Sequence, residues 1–359
     1  MRLEKYIFSL VVVAVAGLAG CSSSRSHLAF VSLPEADSRG AFGIGVFRID
    51  NGSGKFTFSV ASPFLTGNSP GPIAVLPSNQ FLYVANRTDN TISSFKIDSQ
   101  IGSLTEVTPR KATGLSPNSM VMDSGGKYLF TANQVSSDIS VFSIDSSTGA
   151  LTEASGSPFP TARNPVSIAV NPAGTFVYVV NSDLELVFGY AVGAAGALQP
   201  VPGTQFTVGA GAFGIQVDPS GKFLYVANST DNTVSIFTIA SSGALTPVIG
   251  SPFNTGTSPI AIAVSGQYLY IANHGSNNIT AYSIDADTGV PTALTGSPFS
   301  ANTMPVSLVP DPNGTVLYEL GQDSPTISTL KITSSTGVLT SGTVNATAPS
   351  TPVAIFVTK

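Results

Sequence analysis

The chain contains no Trp, one Cys, two His and only 10% charged residues among 359. Each shortage excludes something. A single Cys rules out a disulfide framework and any zinc site built from cysteines. Fifteen Lys plus Arg against 20 Asp plus Glu leave a formal charge of −5, too acidic and too dilute for a surface that tracks phosphates, so nucleic acid is not an expected partner. Two His with scattered carboxylates make a poor transition-metal site; a calcium ion held by carboxylates and carbonyls is the one cofactor the composition leaves open. Long apolar runs are also missing, except for Tyr6 to Gly20, which is shorter than the ~18 residues that would span a bilayer.

What is abundant is apolar and turn-forming: 42% hydrophobic residues, 35 Gly and 25 Pro. That apolar fraction is too high for disorder. Short strands joined by frequent turns fit it best.

Residues 1–20 read as an export signal and not as part of the fold. Arg2 and Lys5 give a basic start, the apolar run follows, and Leu18-Ala19-Gly20-Cys21 ends it before a Ser-rich stretch at 21–26. This resembles the bacterial lipoprotein signal, in which the Cys after small residues is lipidated and becomes the mature N-terminus. The resemblance implies lipidation at Cys21, membrane contact through the lipid anchor only, and an extracytoplasmic location. Ser22 after the Cys, with no Asp there, directs the protein to the outer membrane where the host has one. An ordinary secretory signal with an incidental Cys, or a single membrane anchor, is the plainer alternative.

The remainder, 27–359, is one repeat. Its marker reads Phe81-Leu-Tyr-Val-Ala-Asn86, Tyr128-Leu-Phe-Thr-Ala-Asn133, Phe176-Val-Tyr-Val-Val-Asn181, Phe223-Leu-Tyr-Val-Ala-Asn228 and Tyr268-Leu-Tyr-Ile-Ala-Asn273. Weaker copies flank these at His27 to Ser32 and Val316 to Gly321. A turn glycine recurs every 46–48 residues, at Gly54, Gly102, Gly149, Gly196, Gly243, Gly289 and Gly337. Seven copies of this length match propeller blades. Within a period, four short alternating runs predict four strands, as in Ala212–Val217, Phe223–Ala227, Thr233–Ile239 and a fourth after Gly243. The expected fold is therefore an all-β, seven-bladed propeller of four-stranded antiparallel blades. The first copy lacks a strand one, and Pro352 to Val357 looks like a strand one with nothing after it, so the two ends of the chain should pair and close the ring.

The pattern Tyr83 to Asn86 followed by Thr91 to Asp98, and Tyr225 to Asn228 followed by Thr233 to Ile239, resembles the YVTN repeat. It is shared with the seven-bladed lactonase family, whose best-known member type is 6-phosphogluconolactonase. The resemblance spans nearly all of 27–359 and implies a lactone hydrolase acting on a small-molecule lactone. Export from residue 21 makes cytosolic 6-phosphogluconolactone a poor substrate and an extracytoplasmic lactone a better one. A non-catalytic propeller binding a protein or glycan at the envelope is the alternative, and a monomer is expected in either case.

Lactone hydrolysis needs an activated water and a donor or cation at the developing oxyanion. The face made by the strand 2–3 loops and the blade-to-blade crossovers carries Glu35, Asp37, Arg39, Arg87, Asp89, Arg110, Lys111, Asp138, Arg163, Asp183, Glu185, Asp231, His274, Glu319 and Asp323. After Arg163 the only Lys or Arg are Lys222, Lys331 and Lys359, so the cations of this face cluster in the first half of the ring. Arg163 is the candidate for the oxyanion, and His274 or Glu319 for the proton. Arg87, Arg110, Asn181 and Asp183 are candidate ligand-binding groups. For each, a solvated loop charge is the plainer reading. The repeated Asn86, Asn133, Asn181, Asn228 and Asn273 are expected to cap their strands in Asx turns with left-handed geometry. Ser-Pro-Phe, at Ser62, Ser157, Ser251 and Ser297, is expected to end strand four at an outer edge and to pack its Phe between blades. No Gly-x-Ser-x-Gly elbow is present, and Gly209-Ala-Gly211 precedes no helix.

Overall fold

The computed structural model describes residues 27–34, 43–50, 55–59, 61–322, 325–341 and 346–358. The signal at 1–20, Cys21, the Ser-rich 21–26, and Glu35, Asp37, Arg39, Gly54 and Asp323 lie outside them. Among the described residues no helix is long and apolar enough to cross a membrane.

Seven antiparallel sheets form the molecule. Blades 2 to 7 begin at Pro70, Pro117, Pro165, Ala212, Pro259 and Pro305, each running outward in chain order from an innermost strand one to an outermost strand four. Blade 1 is composite: His27–Leu33, Gly43–Ile49 and Phe56–Phe58 supply strands two to four, and Ala354–Val357 supplies strand one. That innermost strand packs against strand one of blade 2 (Pro70–Val75) and of blade 7 (Pro305–Pro310), so the ring is closed as expected. The register of blade 1 differs by one residue from the sequence alignment. Ser32 pairs with Ala354, and Leu33, not Ser32, stands where blades 2 to 6 have Asn.

Both sequence markers explain themselves at the blade boundaries, where they touch. The central Tyr of strand two is buried and its hydroxyl donates to the backbone carbonyl of the marker glycine in the next blade: Tyr83 to Gly149 (3.1 Å), Tyr178 to Gly243 (2.9 Å) and Tyr270 to Gly337 (2.8 Å). Burial pushes these phenols above their ordinary pKa and keeps them neutral donors. The same glycine lies flat on the aromatic ring two residues before that Tyr. Gly243 has φ +83°, and a Cβ there would fall inside the ring of Phe176; at Gly289 it would lie 2.5 Å from Phe223 Cε1. Glycine is required twice, by its conformation and by the ring beneath it.

Two expected details differ. Asn86, Asn133, Asn181, Asn228 and Asn273 have no left-handed φ; that geometry occurs four residues later, at Asn90, Ser137, Glu185, Asn232 and Asn277. The Asx-type caps sit instead on the opposite, hairpin face, where Asp123, Asn171, Asp218 and Asp311 accept backbone N–H groups across each strand 1–2 turn. Left-handed Asn90, Asn232 and Asn277 reach forward, each accepting the N–H of the residue before or at the entry to the next blade: Ser116, Ser258 and Met304. Ser-Pro-Phe does not end strand four but forms a bulge within it. The Ser157, Ser251 and Ser297 hydroxyls accept the strand-three N–H groups of Val141, Ile236 and Ala281, and pairing resumes at Phe159, Phe253 and Phe299. The Phe does pack as expected: Phe253 lies against a cluster of blade 5 and blade 6 residues.

Gly243→Ala should lower stability by about 2–4 kcal/mol, read as a lower urea midpoint at unchanged m-value. Gly203, with φ +77° and nothing within 4 Å of its absent Cβ, is the control. Gly203→Ala should cost only about 1 kcal/mol. Equal losses would show that the ring contact contributes nothing.

Candidate functional site

On the funnel face strand two of blades 2, 3, 5 and 6 ends in a buried Asn that ties its blade together. The Nδ2 of Asn86 donates to Thr91 and Ser93 (3.0 Å each), that of Asn228 to Thr233 and Ser235 (2.9 Å each), and that of Asn273 to Asn278 (2.7 Å) and Thr280 (2.9 Å); Asn133 does the same with Asp138 and Ser140. Above each sits a glycine of the incoming crossover, Gly67, Gly114, Gly209 or Gly256, where a Cβ would strike the Asn carboxamide. Each Nδ2 is committed to two bonds, Asn86 Oδ1 accepts the Gly67 N–H, and the Oδ1 atoms of Asn133, Asn228 and Asn273 are buried without a partner among the described residues; closed off from the funnel, these four are scaffold.

Blades 4 and 7 break this pattern. In blade 7 the pair is exchanged: Gly321 occupies the Asn position, and Asn302 occupies the crossover position that is glycine in blades 2, 3, 5 and 6. Asn302 Nδ2 donates to Ser328 (2.8 Å), replacing the missing strand-end Asn. Glu319, 1% exposed, accepts the Asn302 backbone N–H at 2.6 Å, the bond that Asn86 Oδ1 makes with Gly67 N–H in blade 2. Burial raises the Glu319 carboxyl to about 7, and the Asn302 N–H opposes this only in part. The structure therefore places Glu319 in the wall of blade 7, out of reach of a substrate in the funnel.

In blade 4, Ala162 replaces the crossover glycine and Leu186 and Phe188 replace the strand-three hydroxyl residues. The Asn181 amide turns to the crossover and donates to the carbonyls of Ala162 and Arg163 (3.1 Å to the latter). Asn164 Nδ2 donates to Asp183 Oδ1 at 2.7 Å, and Gln134 of blade 3 donates to Asn164 Oδ1 at 2.6 Å. Asp183 rides on a short 3-10 turn, Ser182–Leu184, found in no other described loop of this kind. The side chain of Arg163, next to Asn164, is exposed and has no hydrogen-bond or ion-pair partner among the described residues. A cation and a carboxylate are thus held on neighbouring loops of one blade.

The other candidates are separated from this pair. Arg87, at the end of strand two in blade 2, is half-buried and donates through Nη2 to Asn118 on the innermost strand of blade 3; burial lowers its pKa to about 10. Asn118 Nδ2 continues the chain to the Val166 carbonyl of blade 4 (3.2 Å). Arg110 lies on the outermost strand of blade 2, Ser103–Ala112, and pairs with Glu106 at 2.6 Å, so it faces the rim and not the funnel. His274 Nε2 meets Gln322 Oε1 of the next blade at 2.6 Å, two blades from Arg163. Nearer the axis, Phe213, Ile260 and Val306 belong to one apolar cluster, so that part of the funnel wall is apolar. Among the described residues no three His, Cys, Asp or Glu are grouped so that they could hold a metal ion. Asn118, Gln134 and Asn164 are not among the sequence candidates; Ala162, Leu186 and Phe188, where blades 2 and 5 have Gly, Thr and Ser, are the sequence signal that could have marked this region.

Glu319 makes stability depend on pH. Its folded pKa of about 7 lies above the ordinary 4.5, so the folded state keeps a proton that the unfolded chain releases. The stability it contributes is full below about pH 4.5 and is lost as pH rises to about 7. Glu319→Gln should flatten this loss, gaining roughly 2–4 kcal/mol over wild type between pH 5 and pH 8 in urea midpoints. Parallel pH profiles for the two proteins would contradict the assignment.

Solved structures with this architecture are plentiful. A putative 6-phosphogluconolactonase from Bacteroides fragilis superimposes with a TM-score of 0.79 at 20% identity, covering 95% of this chain and 100% of that one. The periplasmic gluconolactonase of Pseudomonas aeruginosa gives 0.78 at 18%, with 93% and 99% covered. A hydrazine synthase chain from Kuenenia stuttgartiensis still gives 0.61 at 17%, with 85% and 95% covered, so the likeness speaks for fold and not for chemistry. No curated protein matches. The family model for the seven-bladed β-propeller lactonases, however, matches residues 43–170 and 161–356. On that match the chain belongs to the seven-bladed β-propeller lactonase family.

Proposed function

We propose that this chain is an exported, lipid-tethered hydrolase of small polyhydroxy lactones, with blade 4 carrying the chemistry. The observation behind this is the exposed Arg163 guanidinium, without a partner among the described residues, next in the chain to Asn164, which is bonded to Asp183. The signal-like first 20 residues and Cys21 support export, and the relative from P. aeruginosa is described as a periplasmic gluconolactonase. The relatives described as 6-phosphogluconolactonases support the ester class but not that substrate, because export would separate the chain from a cytosolic sugar phosphate.

In this reading the Arg163 guanidinium receives the lactone carbonyl oxygen and stabilises the negative charge that forms on it. The Asp183 carboxylate, oriented by Asn164, accepts a proton from the attacking water. The water oxygen bonds to the carbonyl carbon, the ring C–O bond breaks, and the proton passes to the departing alkoxide, leaving a hydroxy acid. His274 of blade 6, held by Gln322, and Arg87 of blade 2, held by Asn118, orient the sugar hydroxyls from either side of blade 4. Glu319 has no step.

The runner-up is a non-catalytic propeller binding a protein or glycan at the envelope. Exposed Leu115, Val135 and Leu184 on the funnel rim of blades 3 and 4 favour it.

Hydrolysis of a panel of aldonolactones by the purified protein, with and without chelator, separates the two. Arg163→Ala and Asp183→Asn should each lower kcat/KM by 10²-fold or more, and His274→Ala by less than tenfold, mainly through KM. No turnover on the panel, or turnover insensitive to Arg163 and Asp183, removes the enzyme reading.

A further inference from the structure

The point at which the chain enters the propeller decides which face meets a membrane. His27 begins strand two of blade 1, and strand two of every blade runs from the hairpin face to the funnel face. The chain therefore enters the propeller at His27 on the hairpin face. That root is clamped on both sides: His27 Nδ1 lies 2.9 Å from the Thr358 carbonyl, Leu28 N–H donates to Thr358 Oγ1 (2.9 Å), and Thr358 N–H donates to the Leu28 carbonyl (2.8 Å). Strand two pairs simultaneously with Gly43–Ile49 and with Ala354–Val357. Moving the root toward the funnel would strip that second pairing, which is the closure of the ring.

Length then excludes the inverted arrangement. The stretch from Cys21 to Ser26 is six residues, ~20 Å when fully extended. A six-residue strand such as Phe223–Asn228 already rises ~20 Å from the hairpin face to the funnel, before the loops at either end are added. A tether rooted at His27 is used up in travelling along the blade wall and cannot also bring the funnel rim against lipid.

We infer that, tethered through a lipidated Cys21, the propeller sits with its strand 1–2 hairpin face on the bilayer and its funnel opening into the surrounding compartment. This rests on the lipid-tether reading above. It gives the funnel site free access to a water-soluble ligand and leaves the hairpin face against lipid headgroups.

Fluorescence quenching from the bilayer tests it, and the single native Cys makes the labelling selective. The full chain, produced in a bacterium that processes lipoproteins, carries either Lys222→Cys at the hairpin end of strand two in blade 5 or Thr230→Cys beyond its funnel end; both positions are exposed. With Cys21 acylated, the introduced thiol is the one that takes a thiol-reactive fluorophore. The protein is bound to phosphatidylethanolamine–phosphatidylglycerol vesicles containing headgroup spin-labelled lipid. The Lys222→Cys label should be quenched at least threefold more than the Thr230→Cys label. Equal quenching at the two sites, or stronger quenching at Thr230→Cys, overturns the orientation while leaving the tether intact. If Cys21 takes the fluorophore, or Cys21→Ser leaves vesicle binding unchanged, the tether reading itself fails, and the orientation with it.

Discussion

The ring depends on one kind of contact between blades: a turn glycine pressed on an aromatic ring of the preceding blade's strand two, joined at three boundaries by a buried Tyr hydroxyl bonded to that glycine's carbonyl. A four-stranded sheet with two apolar faces has no stability alone, because half of what it must bury belongs to a neighbour. The Tyr–Gly bond ties blade 2 to blade 3, blade 4 to blade 5 and blade 6 to blade 7, and the bare glycine backbone lets the sheets approach closely. The hydrogen bond matters beyond its modest net energy, since an unsatisfied Tyr hydroxyl or glycine carbonyl in this dry interface would be costly. Pairing of Ala354–Val357 with the first strand completes the circle and leaves no blade with an uncovered face.

The two faces of the disc have different freedom. On the hairpin face, Asx-type caps recur at Asp123, Asn171, Asp218 and Asp311 because each turn must satisfy the same backbone N–H groups. On the funnel face the Gly/Asn contact recurs in blades 2, 3, 5 and 6, is exchanged in blade 7 and is remodelled in blade 4. Blade 7 conserves the physics with different residues: Asn302 supplies the amide, and Glu319 supplies the acceptor. Blade 4 does not conserve it. Without strand-three hydroxyls the Asn181 amide is spent on the crossover, and Asn164 is available to hold Asp183.

Much of the fold was legible because its causes are local and periodic. Alternating apolar residues, the recurring Phe-x-Tyr run and the turn glycine at 46–48 residues are printed along the chain, and even the pairing of its ends could be read from the incomplete first and last copies. The role of the repeated Asn was not legible. Its partners lie five and seven residues onward, across a turn, and only the folded register shows that the side chain points between strands and not back to its own loop. The bulge at Ser-Pro-Phe escaped for the same reason: an outer-edge Pro and a bulge Pro look identical until the Ser hydroxyl is seen accepting a strand-three N–H. Glu319 looked like a funnel carboxylate, yet Gly321 and Asn302 together already announced an exchanged pair.

By itself, the sequence determined the number of blades, their strand order and the closure of the ring, because hydrophobic period and turn chemistry act between residues close along the chain. The candidate site was decided by tertiary structure. Arg163, Asn164, Gln134 and Asp183 come from three separate loops, and whether charges on such loops meet depends on the rotation of one blade against the next, which no local pattern encodes. The same holds for Glu319 and Arg110, whose chemistry is that of a catalytic or binding group and whose positions, in a blade wall and on an outer edge, are set by packing.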